Sequence, residues 1–128
     1  MKPIVIYADD EFSSLNLFKL EAEEYKNFTP VTVSTGEEVL ELIDSKPDNY
    51  QVVILDINMG VAATGLEIAR KIKSSHPEIT TLVYSGYEGE VIETVTKESG
   101  AVFVYKNLVS MTSLLGQVSK IIETGKSA

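Results

Sequence analysis

Five short runs of β-branched and aromatic residues punctuate the chain: Ile4-Val5-Ile6-Tyr7, Val31-Thr32-Val33, Val52-Val53-Ile54-Leu55, Thr81-Leu82-Val83-Tyr84 and Val102-Phe103-Val104-Tyr105. Their apolar character is near-continuous rather than alternating, which predicts strands covered on both faces. After each run the apolar positions take up helical spacing. Leu15, Phe18, Ala22 and Tyr25 follow the first, and Val39, Leu42 and Ile43 follow the second, between Gly36 and Pro47. Ile68, Ala69 and Ile72 follow the third and stop near His76-Pro77, while Val91, Ile92 and Val95 follow the fourth and end by Gly100. Leu114, Leu115, Val118, Ile121 and Ile122 follow the fifth, with Gly125 beyond. Pro and Gly at these positions are the expected helix stops.

Strict alternation of strand and helix predicts an α/β fold with a parallel sheet and helices on both faces. Right-handed crossovers leave few topologies, and for five strands the flavodoxin-like, doubly wound (βα)5 order 2-1-3-4-5 is the expected one. The 128 residues make one domain with no internal repeat, linker or low-complexity segment. The initial Met and short polar tail fit a complete, stand-alone chain, although a cut from a longer protein would look similar.

Composition changes the picture mainly by exclusion. The chain is 44% hydrophobic and 23% charged, ordinary values that do not predict disorder. No cysteine is present, which removes disulfides, thiolate zinc sites and cysteine nucleophiles. No apolar run approaches a membrane span and no signal-peptide pattern opens the chain, so a soluble cytoplasmic protein is expected. A net charge of −8, with eleven scattered basic residues, argues against nucleic-acid binding and for signalling to protein partners.

In an open parallel sheet, ligands bind beyond the carboxyl ends of the strands. The first run ends in Ala8-Asp9-Asp10-Glu11, the third at Asp56, the fourth at Ser85 and the fifth at Lys106. Three carboxylates, a hydroxyl and an ammonium should therefore meet on one edge, whereas the peripheral second strand ends in nothing comparable. Clustered carboxylates repel one another unless a cation or protons compensate them. Their all-oxygen donor set favours Mg²⁺. A lysine and a hydroxyl opposite would suit a phosphoryl group, with Asp56 as nucleophile. Each residue alone has a plainer reading. Asp9, Asp10 and Glu11 could cap a helix, Ser85 could belong to a turn, Lys106 could be solvated and Phe103 could be core. Joint placement is what favours chemistry. His76 reads as a surface residue, and Glu21-Ala22-Glu23-Glu24 as a solvated helix face.

With "VIYADDEF", "VVILDINM", "TLVYSGY" and "GAVFVYK" in this order and spacing, the whole chain resembles the CheY-like receiver domain of two-component response regulators. The resemblance implies a phosphoprotein of a two-component phosphorelay. Asp56 would accept a phosphoryl group from a sensor histidine kinase or histidine phosphotransfer protein. Asp10, Asp56 and the backbone carbonyl of Asn58 would hold Mg²⁺, with Asp9 acting through water. Lys106 would pair with the aspartyl phosphate, Ser85 would bond it, and Phe103 would follow Ser85 as a switch. Asn58 and Tyr87 match positions that tune phosphoryl lifetime. Such a protein catalyses only its own phosphorylation and dephosphorylation, is a monomer or weak dimer, and passes its signal to a downstream protein whose identity the sequence does not give.

Three departures qualify the resemblance. Gly60 stands where the family has proline, with a loop to Gly65 one residue longer. Asn107 follows Lys106 in place of proline. Phe103 lacks a hydroxyl. The departures at Asn107 and after Asp56 keep open an alternative, a receiver-like interaction module that is not phosphorylated. A phosphatase reading is weakened by Asn58, where such enzymes carry a second acid. A flavin-binding reading is weakened by the acids after the first strand.

Overall fold

The computed structural model describes residues 2–56, 64–86 and 90–124. Strand β1 (Ile4–Ala8) leads to helix α1 (Phe12–Ala22), β2 (Thr29–Val33) to α2 (Gly36–Ser45), and β3 (Tyr50–Leu55) to α3 (Thr64–Ser75). Strand β4 (Thr80–Ser85) leads to α4 (Glu90–Glu98), and β5 (Val102–Tyr105) to α5 (Met111–Glu123). A 3₁₀ turn, Pro47–Asn49, precedes β3. All five strands are parallel, in the order β2-β1-β3-β4-β5. The flavodoxin-like expectation holds.

Strand alternation divides the core into two halves. Ile6, Ala8, Val53, Leu55 and Val83 pack with Val39 and Ile43 of α2 and with Ile68, Ala69 and Ile72 of α3. Val5, Tyr7, Val52, Ile54, Leu82 and Tyr84 pack with Phe18 and Ala22 of α1 and with Leu114, Leu115 and Val118 of α5. Consecutive residues of a strand thus serve opposite layers, which is why the runs carry no polar alternation.

Two expectations need correction. Helix α1 ends at Ala22, so Tyr25 is not a helical position; its N–H still donates to Ala22 C=O at 3.0 Å. From there its ring stacks on Phe28 at 5.8 Å between centroids, covering the α1–α5 core from the following turn. Strand β2 begins at Thr29 and runs through Pro30, two residues before the apolar run. Proline is tolerated because β2 is an edge strand, with one side free of ladder bonds. His76 donates no function to the sheet edge. Its Nε2 lies 2.9 Å from Asp44 Oδ1, linking the end of α3 to α2.

Candidate functional site

Backbone hydrogen bonds extend the sheet one residue beyond its strands at the carboxyl edge. Asp9 N–H donates to Val33 C=O at 3.2 Å, Asp56 N–H to Ala8 C=O at 3.0 Å, and Lys106 N–H to Ser85 C=O at 2.8 Å. The ladder, not the loops, therefore sets where Asp9, Asp56 and Lys106 stand. Asp9 and Ser85 are fully buried and Asp56 nearly so, while Asp10 is exposed. Asp9 and Asp10 precede the N-cap of α1, which Glu11 occupies without a side-chain bond; the Glu11 N–H donates to Asp9 Oδ1 at 3.0 Å.

Carboxylate oxygens of Asp9, Asp10 and Asp56 lie within 4.8 Å of one another. Lys106 Nζ is 3.6 Å from Asp9 Oδ2 and 3.9 Å from Asp56 Oδ2. Three carboxylates and an ammonium thus meet at this edge, a cluster of the kind that can hold a divalent cation. Ser85 ends β4 beside Tyr105 of β5, and Phe103, half-buried, pairs with Val83 two residues below. Register puts Ser85 and Phe103 on the same face of the sheet. Asn58, Gly60 and Tyr87 lie outside the described residues.

The Lys106–Asn107 bond is trans. The chain turns after β5 by a tight bend in which Leu108 and Val109 N–H both donate to Tyr105 C=O at 3.0 Å. Asn107 Nδ2 donates to the Tyr105 hydroxyl at 2.8 Å, and the Tyr84 hydroxyl donates to Val109 C=O at 2.6 Å. Lys106 Nζ lies 5.3 Å above the Tyr84 ring centroid, within cation–π range. Asparagine thus replaces proline without turning Lys106 from the acids.

The sequence reading missed two tyrosines, taking both as plain strand residues. Tyr84 braces the Lys106 turn. Tyr7 donates its hydroxyl to Asp9 Oδ2 at 2.8 Å. Burial, reinforced by the charge of Asp9, its hydrogen bond and the charge of Asp56, pushes the Tyr7 phenol far above its ordinary pKa. Burial alone raises that of Tyr84. A signal did exist: Tyr7 and Asp9 are two apart in a strand and share a face, and a buried tyrosine hydroxyl needs a partner.

A family model described as the response regulator receiver domain matches residues 5–118. This chain belongs to that family. Receiver domains signal through phosphorylation of an aspartate, with histidine kinases or phosphotransfer proteins as their class of partner. They do not act as enzymes on external substrates. The receiver domain of DrrB in a BeF3-activated form is 25% identical, with a TM-score of 0.81 over 96% of this chain and 99% of that one. A CheY-like receiver from Methanospirillum hungatei shares the fold at 18% identity, with a TM-score of 0.83 over 97% and 96% of the two chains. The transcriptional regulatory protein ComA of Bacillus subtilis is 33% identical over 42 residues, which span 33% of this chain and 20% of that protein. Among the described residues, no helix is long and apolar enough to cross a membrane.

Proposed function

We propose that Asp56 accepts a phosphoryl group from a phosphohistidine of a sensor kinase or phosphotransfer protein in a Mg²⁺-dependent reaction, and that the modified surface then signals by protein contacts. The observation that carries this reading is the Lys106 ammonium lying within 4 Å of both Asp9 and Asp56. In the transfer, an Asp56 carboxylate oxygen bonds to phosphorus, the P–N bond to the imidazole breaks, and the released nitrogen ends with a proton. Lys106 offsets the charge brought to Asp56, and its side chain needs only a small displacement to pair with the new oxygens. Ser85, at the end of the neighbouring strand, is the hydroxyl donor to that group, and Phe103 on the same face is the side chain whose packing follows it.

The donor set fits Mg²⁺, because the three acids offer only hard oxygens. Asp10 and Asp56 would hold it directly and Asp9 through water, with the carbonyl of Asn58 as a further ligand. When bound, the cation supplies positive charge to the phosphoryl oxygens in flight. Asn58 and Tyr87 are the positions we assign to control of phosphoryl lifetime. Phosphorylation adds a charge of about −1.5 to −2, enough to bias a two-state rearrangement around α4, β5 and α5.

Asn107 and the loop after Asp56 motivated the unphosphorylated-module alternative; that loop lies outside the described residues, and the Asn107 motive weakens because Lys106 faces the acids across a trans bond. The decisive experiment is intact mass after incubation with acetyl phosphate and Mg²⁺. The wild type should gain one phosphoryl group and Asp56→Asn none. No gain under any donor or metal condition sinks phospho-acceptance, and an equal gain in Asp56→Asn sinks the assignment to that residue.

A further inference from the structure

Tyr7 is fully buried in β1, with its ring stacked on Phe18 at 4.9 Å between centroids and 12° between planes. Packing accounts for the ring. It does not account for the hydroxyl, which a phenylalanine would lack while filling the same slot. That hydroxyl ends on Asp9 Oδ2 at 2.8 Å, and Glu11 N–H ends on Asp9 Oδ1 at 3.0 Å. Both oxygens of a fully buried carboxylate are therefore held by short donors from β1 and the turn that follows it. Lys106 Nζ approaches the same Oδ2 only to 3.6 Å, beyond a good hydrogen bond.

The division has a chemical consequence. A phosphoryl group on Asp56 would draw the Lys106 ammonium toward its oxygens. If Lys106 were the main donor to Asp9, that move would strip a buried carboxylate of its partner, a costly event. With Tyr7 in place, Asp9 keeps a donor on each oxygen and stays aimed at the acid cluster. Without the hydroxyl, the uncovered Oδ2 would pull Lys106 in and let the carboxylate turn.

We propose that Tyr7 is a positioning residue of the phosphoryl-accepting site: its hydroxyl fixes Asp9 toward the cation and leaves Lys106 free for the phosphoryl group. The inference rests on the reading of Asp56 as acceptor and extends it to a residue of the strand interior. It acts through Asp9 and touches neither cation nor phosphorus.

The test is titration calorimetry of the full chain with MgCl2, beside the rate of mass gain from acetyl phosphate. Tyr7→Phe keeps the ring stack and should raise the Mg²⁺ dissociation constant about five- to tenfold and slow phosphorylation by a similar factor. Tyr7→Leu is a second variant without the hydroxyl and should weaken Mg²⁺ at least as much. Phe18→Leu loosens the stack but keeps the hydroxyl; it should lower Tm and leave the Mg²⁺ constant within twofold. In an Asp9→Asn background, Tyr7→Phe should have no further effect. A Tyr7→Phe constant within twofold of wild type overturns the proposal, as does a Phe18→Leu constant that rises with the loss of Tm. Wild type that neither binds Mg²⁺ nor gains mass overturns the acceptor reading itself, a result visible before any variant is made.

Discussion

A buried phenol is harmless to the fold while it keeps its proton and becomes expensive once the solvent demands that proton. Tyr7, inside β1 and hydrogen-bonded to a carboxylate, has its pKa raised by burial and by Asp9; Tyr84 has its own raised by burial. In the unfolded chain both titrate near the ordinary value of 10.0. Above that pH the unfolded state releases protons that the folded state retains, so stability must fall as pH rises. The slope is about 1.4 kcal/mol per pH unit for each phenol that stays fully protonated. Urea denaturation of wild type between pH 8 and 11 should show a flat region below about pH 10 and a decline above it. Tyr7→Phe should lose about one proton's worth of that decline, whatever its stability at neutral pH. An identical alkaline slope in both proteins would mean that Tyr7 is not protected from ionisation.

At the scale of the element, the ends of strands and helices matter more than their middles. Helix α4 passes into β5 through Gly100, whose φ of +89° lies in the left-handed region that side chains avoid. A Cβ there would also meet Lys73 Cγ at 2.6 Å and Cδ at 2.8 Å. The lysine stem can shift, but the backbone conformation cannot be relieved without moving the start of β5. Gly100→Ala should therefore cost about 1–2 kcal/mol and lower Tm by several degrees; an unchanged melting curve would show that the turn relaxes freely. The five strands were legible because a sheet covered on both faces demands uninterrupted apolar residues. Asp9, Asp56, Ser85 and Lys106 were legible because that same sheet must deliver the residue after each run to one edge. What escaped reading depended on geometry that pattern does not encode. Tyr25 keeps helical spacing yet lies past the end of α1, since packing on Phe28 serves it as well from a turn. Tyr7 and Tyr84 were hidden inside apolar runs, because an aromatic ring satisfies the pattern whether or not its hydroxyl has work. The course of the chain after Lys106 depends on bonds from Tyr84, Tyr105 and Asn107, and a proline-for-asparagine difference alone could not foretell them.

For the molecule as a whole, the fold concentrates negative charge at one edge of the sheet. The chain carries a net charge of −8, and the sheet gathers Asp9, Asp10 and Asp56 at one edge, with the Lys106 ammonium beside Asp9 and Asp56. Held together in the folded state and dispersed in the unfolded one, these acids repel most when the protein is native, so the site opposes the stability of its own scaffold. A cation that binds only the folded cluster reverses that sign and stabilises by mass action. At a Mg²⁺ concentration about ten times the dissociation constant the gain is about 1.4 kcal/mol, which should raise Tm by about 3–6 °C for a domain of this size. Na⁺ at matched ionic strength should do much less, because general screening acts weakly on a mostly buried cluster. Asp56→Asn and Asp10→Asn each remove one repelling charge. Both should melt at or above the wild-type temperature without Mg²⁺ and lose most of the Mg²⁺ response. The two effects are linked through one electrostatic cause, which makes the pair of melting curves stricter than either alone. A variant that becomes more stable yet keeps the full Mg²⁺ shift would separate acid repulsion from metal binding and move the cation away from these carboxylates.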